Sequence, residues 1–326
     1  MIDCLASEGH FAHHLAPIYR ALADPGIFYA PPEVHETARS RGVTAFWPLE
    51  AVDRPILVTS YGDLKKARRA GRTKIALGEH GYGQSYSNDH GSYAGGKDRD
   101  DVGLFLVPNE HAAQRNRERN PDATVAVVGC AKLDELPKRE PSSGPVVALA
   151  FHFDAHSVAP EAVGAMRYYR HALKTLPGEF TLIGHGHPRL RPLLERQYRH
   201  FDIEYVPDFA DVCRRADLYV CDNSSTLYEF ASTGRPVVVL NAPQYRRNVE
   251  HGLRFWKAAD VGIQVNSPDE LPDAIRYALT DPPEQQAKRE AALSLVYAYR
   301  RFGARRAAKA LASWAESFRH EETSVA

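Results

Sequence analysis

The feature that most constrains this chain is an alternation of strand-like and helical patterns that runs its course once and then starts again. Short apolar runs come first: IDCLA, followed by a helical pattern from Phe11 to Ala23; PILVTS, followed by Asp63 to Ala70; TKIALG; GLFLVP, followed by Glu110 to Arg119; and TVAVVG. Strands of four to six apolar residues separated by helical segments predict a parallel sheet flanked by helices. The segment LPKREPSSGP, residues 136–145, then carries three prolines and little apolar content, which reads as a linker. The alternation resumes with VVALAFHF, a helix over 160–176, FTLIGHGHP, a helix to about Tyr198, DIEYVPD, ADLYVCD, RPVVVLN and VGIQV. A single long helix is expected from Pro283 to about Arg319, with a frayed HEETSVA tail.

At 326 residues and 44% hydrophobic content the chain has enough apolar residues for two cores. The boundaries expected are a Rossmann-like domain over 1–138, a second Rossmann-like domain over 139–300, and a terminal helix and tail over 301–326 that packs back on the first domain. Two doubly wound domains would face a cleft bounded by the carboxyl ends of both sheets. Neither G-x-G-x-x-G nor G-x-x-x-x-G-K-[ST] occurs, which disfavours a dinucleotide oxidoreductase or a P-loop enzyme.

Lysine plus arginine equals aspartate plus glutamate at 41 each, so no global charge excess draws in nucleic acid or an anionic membrane. A local basic patch is compatible with that balance. Cys4, Cys130, Cys213 and Cys221 form no C-x-x-C pair and fall in or beside apolar elements, the pattern of reduced cysteines in a cytoplasmic protein. No run approaches the roughly 18 apolar residues of a membrane span, so stable insertion is not expected and any membrane contact is peripheral.

The polar clusters follow the strands: SEGHFAHH, GEHGYGQS, FHFDAHS, GHGHPR and DNSST. In DNSST a strand ends directly at Ser224 and Ser225, where a helix begins. Hydroxyls and unpaired amides at such a junction suit a phosphate, while Thr226 with Glu229 also matches a T-x-x-E capping box. His10, His13 and His14 lie on one helical face, yet no H-E-x-x-H or cysteine ligand accompanies them, so no metal is expected.

In its order of motifs the chain resembles the GT-B glycosyltransferases, and most closely the CDP-glycerol glycerophosphotransferase family. The likeness is carried by Glu79-His80-Gly81, by Gly129-Cys130-Ala131-Lys132-Leu133-Asp134 against the family's G-x-P-R-x-D, by His187-Pro188, and by Asp222-Asn223-Ser224-Ser225 against D-Y-S-S. Lys132 stands for an arginine, Asn223 for a tyrosine, and His185 where an arginine often precedes H-P. The resemblance implies a metal-independent transferase with no cofactor, moving a glycosyl or polyol-phosphate group from a UDP-, CDP- or GDP-linked donor to a hydroxyl. The acceptor class stays open between a glycan, a polymer, a small molecule and a nucleic acid.

Under that reading Asp222, Ser224, Ser225 and Thr226 belong to the donor site. There, His187 and His185 assist the leaving phosphate and Glu229 resembles the acidic residue that holds the ribose. His80 is the first candidate for the base, with Glu79 orienting it; Glu8 with His10 is the competitor. Tyr205, Pro207 and Phe209 are candidates to shelter the base, Asp154 and His156 to reach the diphosphate or acceptor, and the loop over 82–101 to act as an acceptor lid. A nucleotide-sugar 2-epimerase and a non-catalytic nucleotide-binding subunit are the alternative readings.

Overall fold

The structure, a computed structural model, describes residues 1–81, 98–153, 164–222, 224–243 and 260–324. They form two compact units. The first takes Met1–His80, the described residues from 98 to Glu135, and the chain from Tyr297 onward; the second takes Gly81 and Leu136–Val296.

The first unit holds a seven-stranded parallel sheet in the order β3-β2-β1-β4-β5-β6-β7. Its strands are β1 (Ile2–Leu5), β2 (Pro25–Tyr29), β3 (Ala45–Phe46), β4 (Ile56–Val58), β5 (Ile75–Gly78), β6 (Val102–Val107) and β7 (Thr124–Val127). Side-chain alternation along a strand sends Ile2, Cys4 and Leu57 to one face, and Leu5, Ile56 and Val58 to the other. Helix α1 (Gly9–Ala21) covers the first face with Phe11 and Leu15; α2 (His35–Ser40) adds Ala38. The second face is covered by α3 (Tyr61–Arg69) with Leu64, and by α4 (Glu110–Arg119) with Ala112 and Ala113. Burial on both faces is why these strands read as unbroken apolar runs.

The second unit holds a six-stranded parallel sheet in the order β10-β9-β8-β11-β12-β13. The strands are β8 (Val146–Phe151), β9 (Thr181–Gly186), β10 (Glu204–Tyr205), β11 (Leu218–Cys221), β12 (Val237–Leu240) and β13 (Ile263–Val265). Helices α5 (Met166–Tyr169), α6 (Arg191–His200), α7 (Phe209–Arg215), α8 (Thr226–Ala231), α9 (Leu271–Leu279) and α10 (Pro283–Val296) connect or flank them. Within the proline-rich stretch Arg139 is anchored by a forked ion pair, with Nε and Nη2 each 2.8 Å from an oxygen of Asp217.

Two expected helices differ. Over 160–176 the described part is one turn, α5, followed by 3-10 turns at Ala172–Lys174 and Leu176–Gly178. The Tyr169 hydroxyl sits between the carbonyls of Asn241 and Val265, at 2.7 and 2.8 Å, so tertiary bonding overrides the helical periodicity. The expected long helix over 283–319 is two helices, because the chain leaves the second unit at Val296 and enters the first. There Ala298 donates to the Pro108 carbonyl at 2.9 Å and Phe302 takes a left-handed φ of 59°. The second piece, α11 (Gly303–Ser324), stays helical well into the tail that the sequence reads as frayed. It completes the first core with Ala304, Ala307, Ala308, Leu311 and Trp314.

All four cysteines are buried, and burial pushes the Cys4 and Cys221 thiols far up from their ordinary value. Among the described residues no helix is long and apolar enough to cross a membrane.

Candidate active site

In each sheet the chain winds outward from a central strand and then returns to its other side, and ligands of open α/β sheets bind beyond the carboxyl ends at that switch point. In the first unit it lies between β1 and β4. The chain leaves β1 as Ala6-Ser7-Glu8 and β4 as Thr59-Ser60. Asp63, in the first turn of α3, laces the two exits together: its amide donates to Ser60 Oγ at 2.9 Å, and its carboxylate accepts the Ser7 amide at 3.2 Å. Burial pushes the Asp63 carboxyl up, against the pull of its bonds to Ser7 and of Lys66.

His80 follows β5, the neighbour of β4, and its Nδ1 lies 2.5 Å from the Thr59 carbonyl. A carbonyl only accepts, so Nδ1 carries the proton and Nε2 of the neutral ring carries the lone pair. Around His80 stand His10, with ring centroids 6.3 Å away, His14 at 6.1 Å, and Phe11, edge-on at 5.0 Å. Glu8 reaches His10, Oε2 to Nδ1, at 3.7 Å, so this expected pair does meet. Among the described residues no group of three or more His, Cys, Asp and Glu is placed to hold a metal ion.

The Glu79 carboxylate instead accepts Asn116 Nδ2 at 2.9 Å and pairs with the buried Arg99 at 3.6 Å. Burial raises its pKa, while Arg99 and Asn116 oppose the rise. The ring of His80 therefore takes its orientation from the Thr59 backbone. Nothing in the sequence marks a main-chain carbonyl for that task, and Arg99 falls in a stretch that reads as loop. The motif Gly129 to Asp134 lies away from these groups in role: Gly129 takes φ 77°, an added Cβ would stand 2.1 Å from the Tyr299 carbonyl oxygen, and Asp134 accepts the Ala304 amide at 2.8 Å. It seats the start of α11.

In the second unit the switch point lies between β8 and β11. Asp222, fully buried at the end of β11, accepts the amides of His152 at 2.9 Å and Ala165 at 3.1 Å, one on each carboxylate oxygen. It ties the exit of β8 to that of β11. Ser224 Oγ accepts the Thr226 hydroxyl at 2.9 Å and, weakly, its amide at 3.4 Å; the Thr226 hydroxyl also meets Tyr219 OH at 2.8 Å. Ser225 is the N-cap of α8, yet its side chain makes no capping bond. The T-x-x-E box read from Thr226 and Glu229 is not formed, because Thr226 is already helical and Glu229 is wholly buried.

His185, in β9, and His187, just beyond its end, have opposite tautomers. His185 Nδ1 donates to the Val206 carbonyl at 2.8 Å, holding the buried ring to the chain beyond β10. His187 Nδ1 accepts the Arg189 amide at 3.2 Å, so its proton sits on Nε2. Its ring packs against Phe153 at 4.4 Å and His152 at 5.0 Å, and the Arg189 guanidinium covers Phe153. The aromatic support from His152 and Phe153 was visible only as the cluster FHFDAHS.

Gly184 and Gly186 serve packing. A Cβ at Gly184 would lie 2.4 Å from the Tyr198 ring, and one at Gly186 2.3 Å from Leu194. Phe209 is a core residue, and Tyr205 stacks on Tyr198 with its hydroxyl pushed up to about 12 by burial. Asp154, His156, Asn223 and residues 82–97 of the expected lid lie outside the described residues.

Two doubly wound parallel units, each with a polar cluster beyond its switch point, define a GT-B fold. The sequence model described as CDP-Glycerol:Poly(glycerophosphate) glycerophosphotransferase matches residues 165–307, less than half of the chain. That span contains His185, His187, Asp222, Ser224 and Glu229, and none of the first-unit candidates. No curated protein matches the sequence. Among solved structures, the wall teichoic acid polymerase TagF soaked with CDPG superposes with a TM-score of 0.60 at 11% identity, covering 99% of this chain and 89% of that one. UDP-GlcNAc 2-epimerase from Neisseria meningitidis bound to UDP-GlcNAc gives 0.58 at 14%, covering 96% and 98%. The UDP-N-acetylglucosamine 2-epimerase of Rickettsia bellii gives 0.60 at 13%, covering 97% of each.

Proposed function

We propose that the chain is a metal-independent transferase that moves a polyol-phosphate or glycosyl group from a nucleotide-activated donor to a hydroxyl. The observation that carries this reading is the opposite protonation of two rings: His80 presents a lone pair at Nε2, and His187 presents an N–H there. The first is what removal of a hydroxyl proton needs, the second what a departing phosphate needs. For a nucleoside-diphosphate donor, the acceptor oxygen bonds to the distal phosphorus, and the first unit supplies in His80 a base for the acceptor proton. The P–O–P bond then breaks, and its electron pair leaves on the nucleoside monophosphate. The charge left on that phosphate is met by His187 Nε2–H and the hydroxyls of Ser224 and Ser225. Asp222 positions this set through the His152 amide, and Glu229 is assigned to the ribose. Glu8 with His10 is the alternative base.

The match over 165–307 favours a cytidine donor and a glycerol-phosphate group. Likeness to the 2-epimerases supports a second reading, in which the nucleotide sugar is inverted without being cleaved. One assay separates them: the full chain with CDP-glycerol or UDP-GlcNAc in EDTA, with and without a glycerol-phosphate acceptor, analysed by nucleotide chromatography. Acceptor-dependent CMP supports phosphoglycerol transfer, acceptor-dependent UDP supports glycosyl transfer, and an intact nucleotide sugar of changed configuration overturns both. His80→Asn is expected to lower turnover about 10²–10⁴-fold while leaving the thermal shift by CDP in place. Full turnover in that variant removes His80 from the mechanism.

A further inference from the structure

The exit of β4 carries a buried hydroxyl with no part in the bond-making steps. Thr59 is 2% exposed and follows Ile56-Leu57-Val58, a strand end that suits valine at least as well. Its hydroxyl donates to the Gly78 carbonyl at 2.7 Å. Backbone pairing of β4 with β5 stops one residue earlier, at Val58 and Leu77, because Ser60 leaves the sheet as the N-cap of α3. A side chain therefore supplies the donor that the ladder no longer offers. Gly78 directly precedes Glu79 and His80, and the Thr59 carbonyl in turn accepts His80 Nδ1 at 2.5 Å. That carbonyl belongs to the Thr59–Ser60 peptide group, which is pinned at both ends. On one side the Thr59 hydroxyl ties it to β5. On the other, Ser60 Oγ accepts the Asp63 amide at 2.9 Å, and the Asp63 carboxylate holds the Ser7 amide at the exit of β1. Glu79 is fixed from the far side, its amide donating to the Leu106 carbonyl of β6 at 3.0 Å.

We propose that Thr59 is a positioning residue for the base. Its hydroxyl locks the exits of β4 and β5 together, so that its own carbonyl holds the Nδ1 proton of His80 and leaves the Nε2 lone pair to the acceptor. The tautomer is the reason a lock is needed. A neutral imidazole in water favours the N–H at Nε2, so a ring kept the other way requires an acceptor fixed at Nδ1. A Thr59 carbonyl free to turn with its peptide group would release the ring to the form that has no lone pair at Nε2. Asp63 secures one end of that peptide group, and only the Thr59 hydroxyl secures the end that faces β5. The inference rests on the reading of His80 as the base, and tautomer and turnover are read separately for that reason.

Nitrogen-15 spectra of the full chain labelled at histidine, taken at about pH 8 where an ordinary imidazole is neutral, report the tautomer, with His80 assigned by its loss in His80→Asn. The wild type is expected to carry the proton on Nδ1. Thr59→Val keeps the side-chain shape and removes the hydroxyl. It is expected to move part of the His80 signal to the Nε2–H form and to lower kcat about 10–100-fold, with donor KM and the thermal shift by CDP unchanged. Thr59→Ser restores the donor and should recover both tautomer and turnover. Thr59→Ala should behave as Thr59→Val does, and it replaces that variant should valine prevent folding. Valine and alanine variants that keep the wild-type tautomer, whatever their turnover, overturn the proposal and leave His80 standing as the base. A tautomer that moves while turnover holds, or a wild type already protonated on Nε2, overturns the proposal together with His80 as the base. A serine variant that loses turnover as the valine variant does overturns it as well, since the methyl group and not the hydroxyl would then matter.

Discussion

His14 is a histidine that the fold keeps neutral. It is 7% exposed on α1, and its pKa lies well below 6.5, first because burial disfavours the charged ring and then because Lys132, His80, His10 and His13 add positive potential. The unfolded chain takes up a proton near pH 6.5 and the folded chain does not. The stability that His14 contributes is therefore complete above that pH and is lost as pH falls toward the folded value, at about 1.4 kcal/mol per pH unit. Urea denaturation of the wild type and of His14→Phe, which keeps the ring volume, should show the wild type falling more steeply between pH 6.5 and 5. Parallel curves would mean that the folded protein accommodates a charged His14. At this scale the sequence showed where polar residues gather, because they follow strands. It did not show the protonation of His80 or His187, which is set by a carbonyl of Thr59 and an amide of Arg189. Main-chain groups look alike at every position, so a tautomer they select has no sequence signal.

Strand β9 and helix α6 show the same limit one level up. GHGHPR reads as a polar cluster after a strand, and its glycines are packing. Gly184 is where α6 lies closest to the sheet, with the Tyr198 ring against it and the Tyr198 hydroxyl donating to the Leu149 carbonyl at 2.8 Å. Gly184→Ala would drive a methyl into that ring or push the helix away, a cost of about 1–3 kcal/mol. Gly178→Ala is the matched control, since nothing lies within 4 Å of its added Cβ. Guanidinium denaturation that finds the two substitutions equal would mean that α6 is not packed on β9 as described. Long periodic elements such as α4 and β6 were legible from sequence because apolar period and length agree. The edge strand β3 is two residues long and carries no period, and β2 begins with Pro25-Gly26, which reads as a turn. There Gly26 is demanded by Asp3, whose carboxylate would lie 2.1 Å from a Cβ at that site and accepts the Ile27 amide at 2.8 Å.

Across the whole molecule, the first unit is assembled from stretches separated by the entire second unit, an arrangement that reading the chain in order cannot supply. Helix α11 brings Leu311, fully buried, and Trp314, 8% exposed, into the core, where Trp314 lies against Gly103 of β6. Gly129, Gly303 and Asp134 are shaped to receive it: a Cβ at Gly303 would meet Cys130 at 2.8 Å, and Asp134 caps the Ala304 amide. Losing one buried leucine costs about 2–5 kcal/mol and one tryptophan about 3–5, so the pair alone approaches the 5–15 kcal/mol that holds a domain together. A chain ending at Val296 should therefore lose the first unit as a cooperative structure and keep the second, whose strands and flanking helices all lie before that point. Calorimetry of the shortened chain should show one transition where the full chain's enthalpy requires two units. Limited proteolysis should leave a resistant fragment that begins near Leu136 and still shifts its melting temperature with CDP. A shortened chain that melts with the full enthalpy would show that α11 covers a core able to close without it.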